Sequence, residues 1–124
     1  MTDETKARDE ICRVGASLFN RGLTAGASGN ISVRLDDGGW LMTPTNVSLG
    51  ALNPARLSRL DATGRLMSGD APTKEAFLHL SMYGERADAA AVVHLHSSHA
   101  TAVSILRDVD PNDVLPALTA YYVM

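Results

Sequence analysis

The chain has 124 residues, 45% hydrophobic and 20% charged, with a net charge of −3, enough for one domain around one core. The acidic balance and the lack of a basic cluster argue against a nucleic-acid partner, and no apolar run approaches the roughly 18 residues of a membrane span. The lone Cys12 excludes an internal disulfide, and with a start, Met1 to Lys6, charged on both signs and unlike a signal peptide, it predicts a cytoplasmic protein.

Ile11, Val14, Leu18 and Phe19 fall on one face of a helix over Thr5–Asn20. Gly22 is placed for its left-handed C-terminal cap, and Cys12 for packing near the helix seam. A Gly/Ser turn, Ala25 to Asn30, leads into an alternating strand, Ile31–Leu35. Such a turn can present backbone N–H groups to an anion, although an ordinary tight turn is the simpler reading. Asp36-Asp37-Gly38-Gly39 signals a hairpin, with a return strand over Trp40–Thr43 closed by Pro44.

Thr45 to Gly50 is a polar loop rich in hydroxyl and amide donors, and Asn53–Leu57 reads as a capped turn. A second hairpin at Asp61-Ala62-Thr63-Gly64 joins strands over Leu57–Leu60 and Arg65–Met67. Connections this short predict antiparallel pairing. A helix follows from Pro72 to Tyr83, with Thr73 as N-cap, Glu75 in the first turn where the dipole favours a carboxylate, and Ala76, Phe77, Leu80 and Tyr83 facing inward. His79 stands one turn beyond Glu75 and reads as a structural residue within hydrogen-bonding reach of it.

The run Ala89 to Val93 predicts a buried strand ending in His94-Leu95-His96. Alternate residues of a strand share a face about 6.5 Å apart, so both imidazoles point one way and can share a metal ion. Zinc takes nitrogen and carboxylate ligands at about 2.0–2.2 Å, and Glu75 is the natural third member. The alternative is a pair of core histidines whose ring nitrogens are satisfied by hydrogen bonds. Ser97 to Leu106 predicts a helix, with His99 in its first turn and off the metal-facing side. Ala120 to Met124 reads as a strand with no turn after it, which predicts that the sequence is cut short.

Ser28-Gly29-Asn30-Ile31-Ser32, Thr43-Pro44-Thr45, Pro72-Thr73-Lys74-Glu75 and His94-Leu95-His96 occur in that order. Together they resemble the class II aldolase/adducin family over nearly the whole chain, and the spacing of Glu75, His94 and His96 is the specific part. Within that family, Met67 to Asp70 and Ala91 to Ser97 look most like the 3-oxo-tetronate 4-phosphate decarboxylases.

The resemblance implies a three-layer α/β/α fold with a mainly antiparallel central sheet, and a homotetramer with sites between subunits. It implies Zn2+ or another divalent metal held by His94 and His96, with Glu75 as acid/base and further ligand. Gly29, Asn30, Thr45, Asn46, Thr73 and Lys74 would line a phosphate pocket. The implied reaction is loss of CO2 from a phosphorylated sugar acid through an enediolate, giving a triose phosphate. A sugar-phosphate aldolase or epimerase would use the same residues, and an adducin-like module would use the fold without the chemistry.

Three departures qualify the resemblance. Asn46 stands where the family's aldolases have Gly, and Lys74 stands where they have Ser. Lys74 adds a cation beside the pocket, suited to a substrate with both phosphate and carboxylate, unless it is simply a solvated lysine. The family's third histidine ligand and its C-terminal strands and helices are missing, which implies that these residues are part of a longer protein.

Overall fold

The computed structural model describes residues 3–118 and Ala120. Helix α1 (Glu4–Asn20) starts at Asp3, whose carboxylate accepts from Thr5 N at 2.9 Å, as an N-cap side chain should. It ends where Gly22 turns left-handed at φ +70°. There the N–H groups of Gly22 and Leu23 reach back to the carbonyls of Phe19 and Leu18, the Schellman geometry that Gly22 predicts.

Five strands follow: β1 (Asn30–Arg34), β2 (Trp40–Met42), β3 (Ser58–Leu60), β4 (Leu66–Ser68) and β5 (Ala91–His94). They form one sheet in the order β4-β3-β2-β1-β5, antiparallel throughout. Helix α2 (Ala76–Glu85) precedes β5, and α3 (Ser98–Ser104) follows it. Short 3-10 turns at Leu49–Ala51 and Pro54–Arg56 are capped by Ser48 and Asn53.

The two-residue period of β1 decides what lies on each side of the sheet. Ile31, Val33 and Leu35 pack toward α1 in a cluster with Ala7, Ile11, Leu41, Leu49 and Leu57. Asn30, Ser32 and Arg34 point the other way. Ser32 meets His79 and Tyr83 of α2, and the Arg34 guanidinium donates to the Tyr83 carbonyl while lying 4.8 Å above its ring. Helices thus cover both faces, giving the three-layer, antiparallel α/β arrangement expected. Cys12 packs against the α1-side core, where burial pushes its thiol up.

Several expectations need correction. The strand carrying His94 is not buried: β5 pairs only with β1 among the described residues, and Val93 is 49% exposed. It ends at His94, so His96 lies just beyond it. The regular turns of α2 start three residues after Thr73, while Thr73 itself caps the turn leading into them, its Oγ1 accepting from Glu75 N at 3.3 Å and its carbonyl from Ala76 N at 3.1 Å. Glu75 is the N-cap residue of α2 instead of a member of its first turn. That start turns Phe77 outward, 70% exposed, and His79 inward beside Tyr83. The strand expected over Ala120–Met124 lies outside the described residues apart from Ala120.

Candidate functional site

The site forms where three backbone segments converge. The first is the Ala25–Ser28 turn, closed by Ser28 Oγ donating to the Ala25 carbonyl and Thr24 Oγ1 donating to the Ser28 carbonyl. It delivers Gly29 at φ +78°, where a Cβ would come within 3.1–3.2 Å of Leu95, the His94 carbonyl and Thr24. Only glycine suits both the dihedral and the space. The other two segments run side by side: Thr73 N donates to the Thr43 carbonyl and Thr45 N to the Ala71 carbonyl.

Between these segments lies a cleft of about 280 Å³. Gly29, Asn30, Thr45, Asn46, Thr73 and Lys74 all line it, with Glu75 and His96 at the same opening. Asn46 adopts φ +58°, a left-handed conformation that Asn tolerates better than most side chains. This accounts for Asn at a position where the family's aldolases use Gly.

Glu75, His94 and His96 offer ligand atoms that all lie within 4.8 Å of one another. His94 Nδ1 is 3.1 Å from Glu75 Oε2, and His96 Nε2 is 3.8 Å from Glu75 Oε1. Ligands at zinc distances around a tetrahedron are separated by about 3.3–3.5 Å, so the trio fits a divalent cation with small side-chain adjustments. The donor set, two imidazoles and one carboxylate, is one used by catalytic zinc sites that keep a position open for substrate. The two imidazoles share a side, with ring centroids 4.7 Å apart, as the His-x-His spacing predicts even though the strand ends at His94. His99 is exposed and outside the cluster.

As an N-cap residue Glu75 makes no capping bond with its side chain; the carboxylate turns to Asn30 and the histidines. Asn30 Nδ2 donates to Glu75 Oε2 at 2.6 Å and to Thr73 Oγ1 at 3.2 Å. That amide, more than any other group, holds the Glu75 carboxyl below the usual carboxylate range, and the two imidazoles add to it while desolvation opposes. Glu75 is thus ionised at neutral pH. The Asn30 side chain lines the cleft but is committed to its protein partners on both ends.

The His79 side chain is not bonded to the Glu75 carboxylate. Its Nε2 meets Asn30 Oδ1 at 2.5 Å and its Nδ1 meets Ser32 Oγ at 2.7 Å, which in turn lies 2.8 Å from the Tyr83 hydroxyl. His79 and Ser32 are fully buried and Tyr83 nearly so. Burial above all, with the neighbouring His94, pushes the imidazole pKa down to about 4, so His79 is neutral. Ser32 and Tyr83 are the members of this assembly that the sequence does not single out. The available signals were Asn30, Ser32 and Arg34 alternating on one strand face, and the four-residue spacing of Glu75, His79 and Tyr83.

The model of the class II aldolase and adducin N-terminal domain matches residues 9–124. The chain belongs to the class II aldolase/adducin family. A Cupriavidus necator member named 3-oxo-tetronate 4-phosphate decarboxylase is 51% identical over 124 residues, covering 100% of this chain and 57% of that protein. The Haemophilus influenzae protein of the same name is 48% identical over 124 residues, again 100% of this chain and 59% of its own length. The crystal structure of YgbL from Escherichia coli superposes with a TM-score of 0.88 at 43% identity, covering 98% of this chain and 58% of that one. The chain therefore spans less than two thirds of the length of these relatives. No helix among the described residues is long and apolar enough to cross a membrane.

Proposed function

We propose that this chain carries the acid/base and two metal ligands of a carbon–carbon lyase that decarboxylates a 3-oxo-tetronate 4-phosphate to a triose phosphate and CO2. The observation that carries the reading is the cleft itself. Glu75 and His96, clustered with His94 just behind them, stand at one opening of a pocket lined by Gly29, Asn30, Thr45, Asn46, Thr73 and Lys74. The names of the relatives at 51% and 48% identity support the substrate class.

When bound at His94, His96 and Glu75, a divalent cation, read here as Zn2+, would supply a Lewis acid for the carbonyl oxygen. The remaining work falls to side chains of this chain. Loss of CO2 from a 3-oxo acid leaves an electron pair that rests as an enediolate, and a proton must return at the same carbon. Glu75, aimed by Asn30 and ionised at rest, is the group that relays that proton, taking it up from solvent at the cleft mouth and passing it to the enediolate carbon. The phosphate lies against Gly29, Asn30, Thr45, Asn46, Thr73 and Lys74, which orients the reacting carbon without touching the breaking bond. Lys74, exposed at the rim, adds the cation that a substrate bearing phosphate and carboxylate calls for. The reading includes a homotetramer, which the family resemblance implies, in a reducing compartment such as the cytoplasm, which the lone Cys12 predicts.

The test pairs metal content by plasma mass spectrometry with a substrate panel, on the protein in its longest natural form. Near-stoichiometric metal lost on His94→Ala/His96→Ala, with CO2 released from a 3-oxo acid phosphate, is the expected result. Aldehyde release instead of CO2 would move the reading to aldol cleavage. A protein that binds no metal and turns over no substrate would leave an adducin-like module.

A further inference from the structure

We infer that His79, braced by Ser32 and Tyr83, is a positioning residue that locks the Asn30 side chain in the orientation aiming its amide N–H at Glu75. The inference rests on reading Glu75 as the acid/base. It begins from the direction of each hydrogen bond. An ionised carboxylate only accepts, so the Asn30 atom 2.6 Å from Glu75 is Nδ2. Oδ1 then faces His79 at 2.5 Å, with His94 Nδ1 farther off at 3.2 Å, and since an amide oxygen only accepts, His79 Nε2 carries the hydrogen.

A neutral imidazole with hydrogen on Nε2 has a bare Nδ1, which accepts from the Ser32 hydroxyl. The Ser32 oxygen in turn accepts from Tyr83, whose burial keeps its phenol protonated. Every link runs one way: Tyr83 to Ser32 to His79 to Asn30 to Glu75. The tautomer of His79 matters most, because its Nε2 is the nearer of the two ring nitrogens on Asn30 Oδ1. Flipping the Asn30 amide would turn its oxygen on the carboxylate and its NH2 on an N–H that can only donate. Both ends would clash electrostatically, in a region where unpaired polar groups are costly.

An apolar contact between α2 and β1 would pack these layers with no such demand. Four buried polar side chains in a row, ending on the one carboxylate of the cleft, serve to set direction. Tyr83 and Ser32 touch no cleft surface, so their influence on chemistry passes through Asn30.

The experiment follows two readouts in the longest natural form of the protein: turnover of the 3-oxo acid phosphate, and the side-chain amide signal of Asn30 in 15N-labelled protein, assigned by its loss in Asn30→Ser. His79→Leu should shift the Asn30 signal away from its carboxylate-bonded position and lower kcat about 10- to 100-fold. KM should change less than kcat, because Asn30 is the one wall residue the variant disturbs and its side chain is turned to Glu75. His79→Gln, whose amide can donate to Asn30 and accept from Ser32, should restore both readouts.

An unmoved Asn30 signal with unchanged kcat in folded His79→Leu would overturn the inference. Equal losses in the Leu and Gln variants would also overturn it, since they would mark packing instead of hydrogen bonding. Should His79→Leu fail to fold, Ser32→Ala decides by the same Asn30 signal, shifted in support or unmoved against. A shifted signal and Gln rescue of it, in a protein that releases no CO2, would uphold the positioning while ending the decarboxylase reading.

Discussion

Residues 30–35, β1 and the residue after it, alternate between two faces that hold opposite kinds of interior. Toward α1, Ile31 and Leu35 meet Ile11, Leu41, Leu49 and Leu57, all nearly or fully buried and all apolar. Toward α2, Asn30 and Ser32 meet His79 and Tyr83, equally buried but joined by directional hydrogen bonds. Burial of the first kind is non-directional and roughly additive in area, so it supplies stability. The second kind gains little net energy for its burial, yet admits a single arrangement of donors and acceptors. The candidate site is attached to the second face. A substitution on one side should therefore move stability, and on the other activity.

The largest effect expected tests the far end of the polar face. Glu75→Gln keeps the shape and the Asn30 neighbour but removes the acid/base, and turnover should fall about 10²- to 10⁴-fold. Thermal unfolding should change little, because the Glu75 side chain is 37% exposed and closes no apolar contact. A large loss of stability with activity retained would erase the division between the faces. On the apolar face the converse holds: Leu41→Ala, at a fully buried position, should cost about 2–5 kcal/mol by denaturant unfolding. Metal binding measured under native conditions should be unaffected.

The contrast between faces was half visible in the sequence. Alternation through Asn30, Ile31, Ser32, Val33, Arg34 and Leu35 announces a strand with two unlike sides, and the hairpin residues fix its antiparallel neighbours. The pairing of Glu75 with the two histidines was legible because helix-to-strand order and a two-residue period bring them together. What joins the polar face was not, since Ser32 finds His79 and Tyr83 across separations of 47 and 51 residues. Nor was the start of the regular α2 turns, which lie three residues beyond Thr73 although Thr73 Oγ1 accepts from Glu75 N as a cap does. The run Ala89 to Val93 carries the composition of a covered strand, and composition does not say which elements do the covering.

The pH dependence of stability separates the faces next. His79 stays neutral in the fold down to about pH 4, whereas an unfolded histidine titrates near 6.5. The unfolded chain therefore binds the additional proton between these values, and protonation favours it. The contribution of His79 is complete above about pH 6.5 and is lost as pH falls toward 4, on the order of 3 kcal/mol in all. Chemical denaturation at stepped pH should show this decline, and His79→Gln should flatten it relative to wild type. The same slope in both proteins would assign the acid sensitivity elsewhere. The apolar face offers no titratable group in that window.

Gly29 lies where the faces meet the cleft. Gly29→Ala places a Cβ at φ +78° against Leu95 of the apolar side and the His94 carbonyl of the polar side. The left-handed dihedral alone should cost about 1–2 kcal/mol, read as a lowered unfolding midpoint. Crowding of the His94 backbone should also weaken metal binding, so this one substitution registers on both readouts.

Lys74 should give the smallest change in stability and the sharpest separation of binding from folding. Its side chain is exposed at the cleft rim and packs into neither face, so Lys74→Met should alter unfolding by no more than about 0.5 kcal/mol. If its charge meets the substrate's anionic groups, KM should rise while kcat holds, the signature of an interaction made equally in ground and transition states. Raising ionic strength should raise KM in wild type and leave the variant nearly flat, because screening acts on a charge the variant lacks. A fall in kcat with KM unchanged would instead place Lys74 among the groups that act on the reacting carbon, beside Glu75.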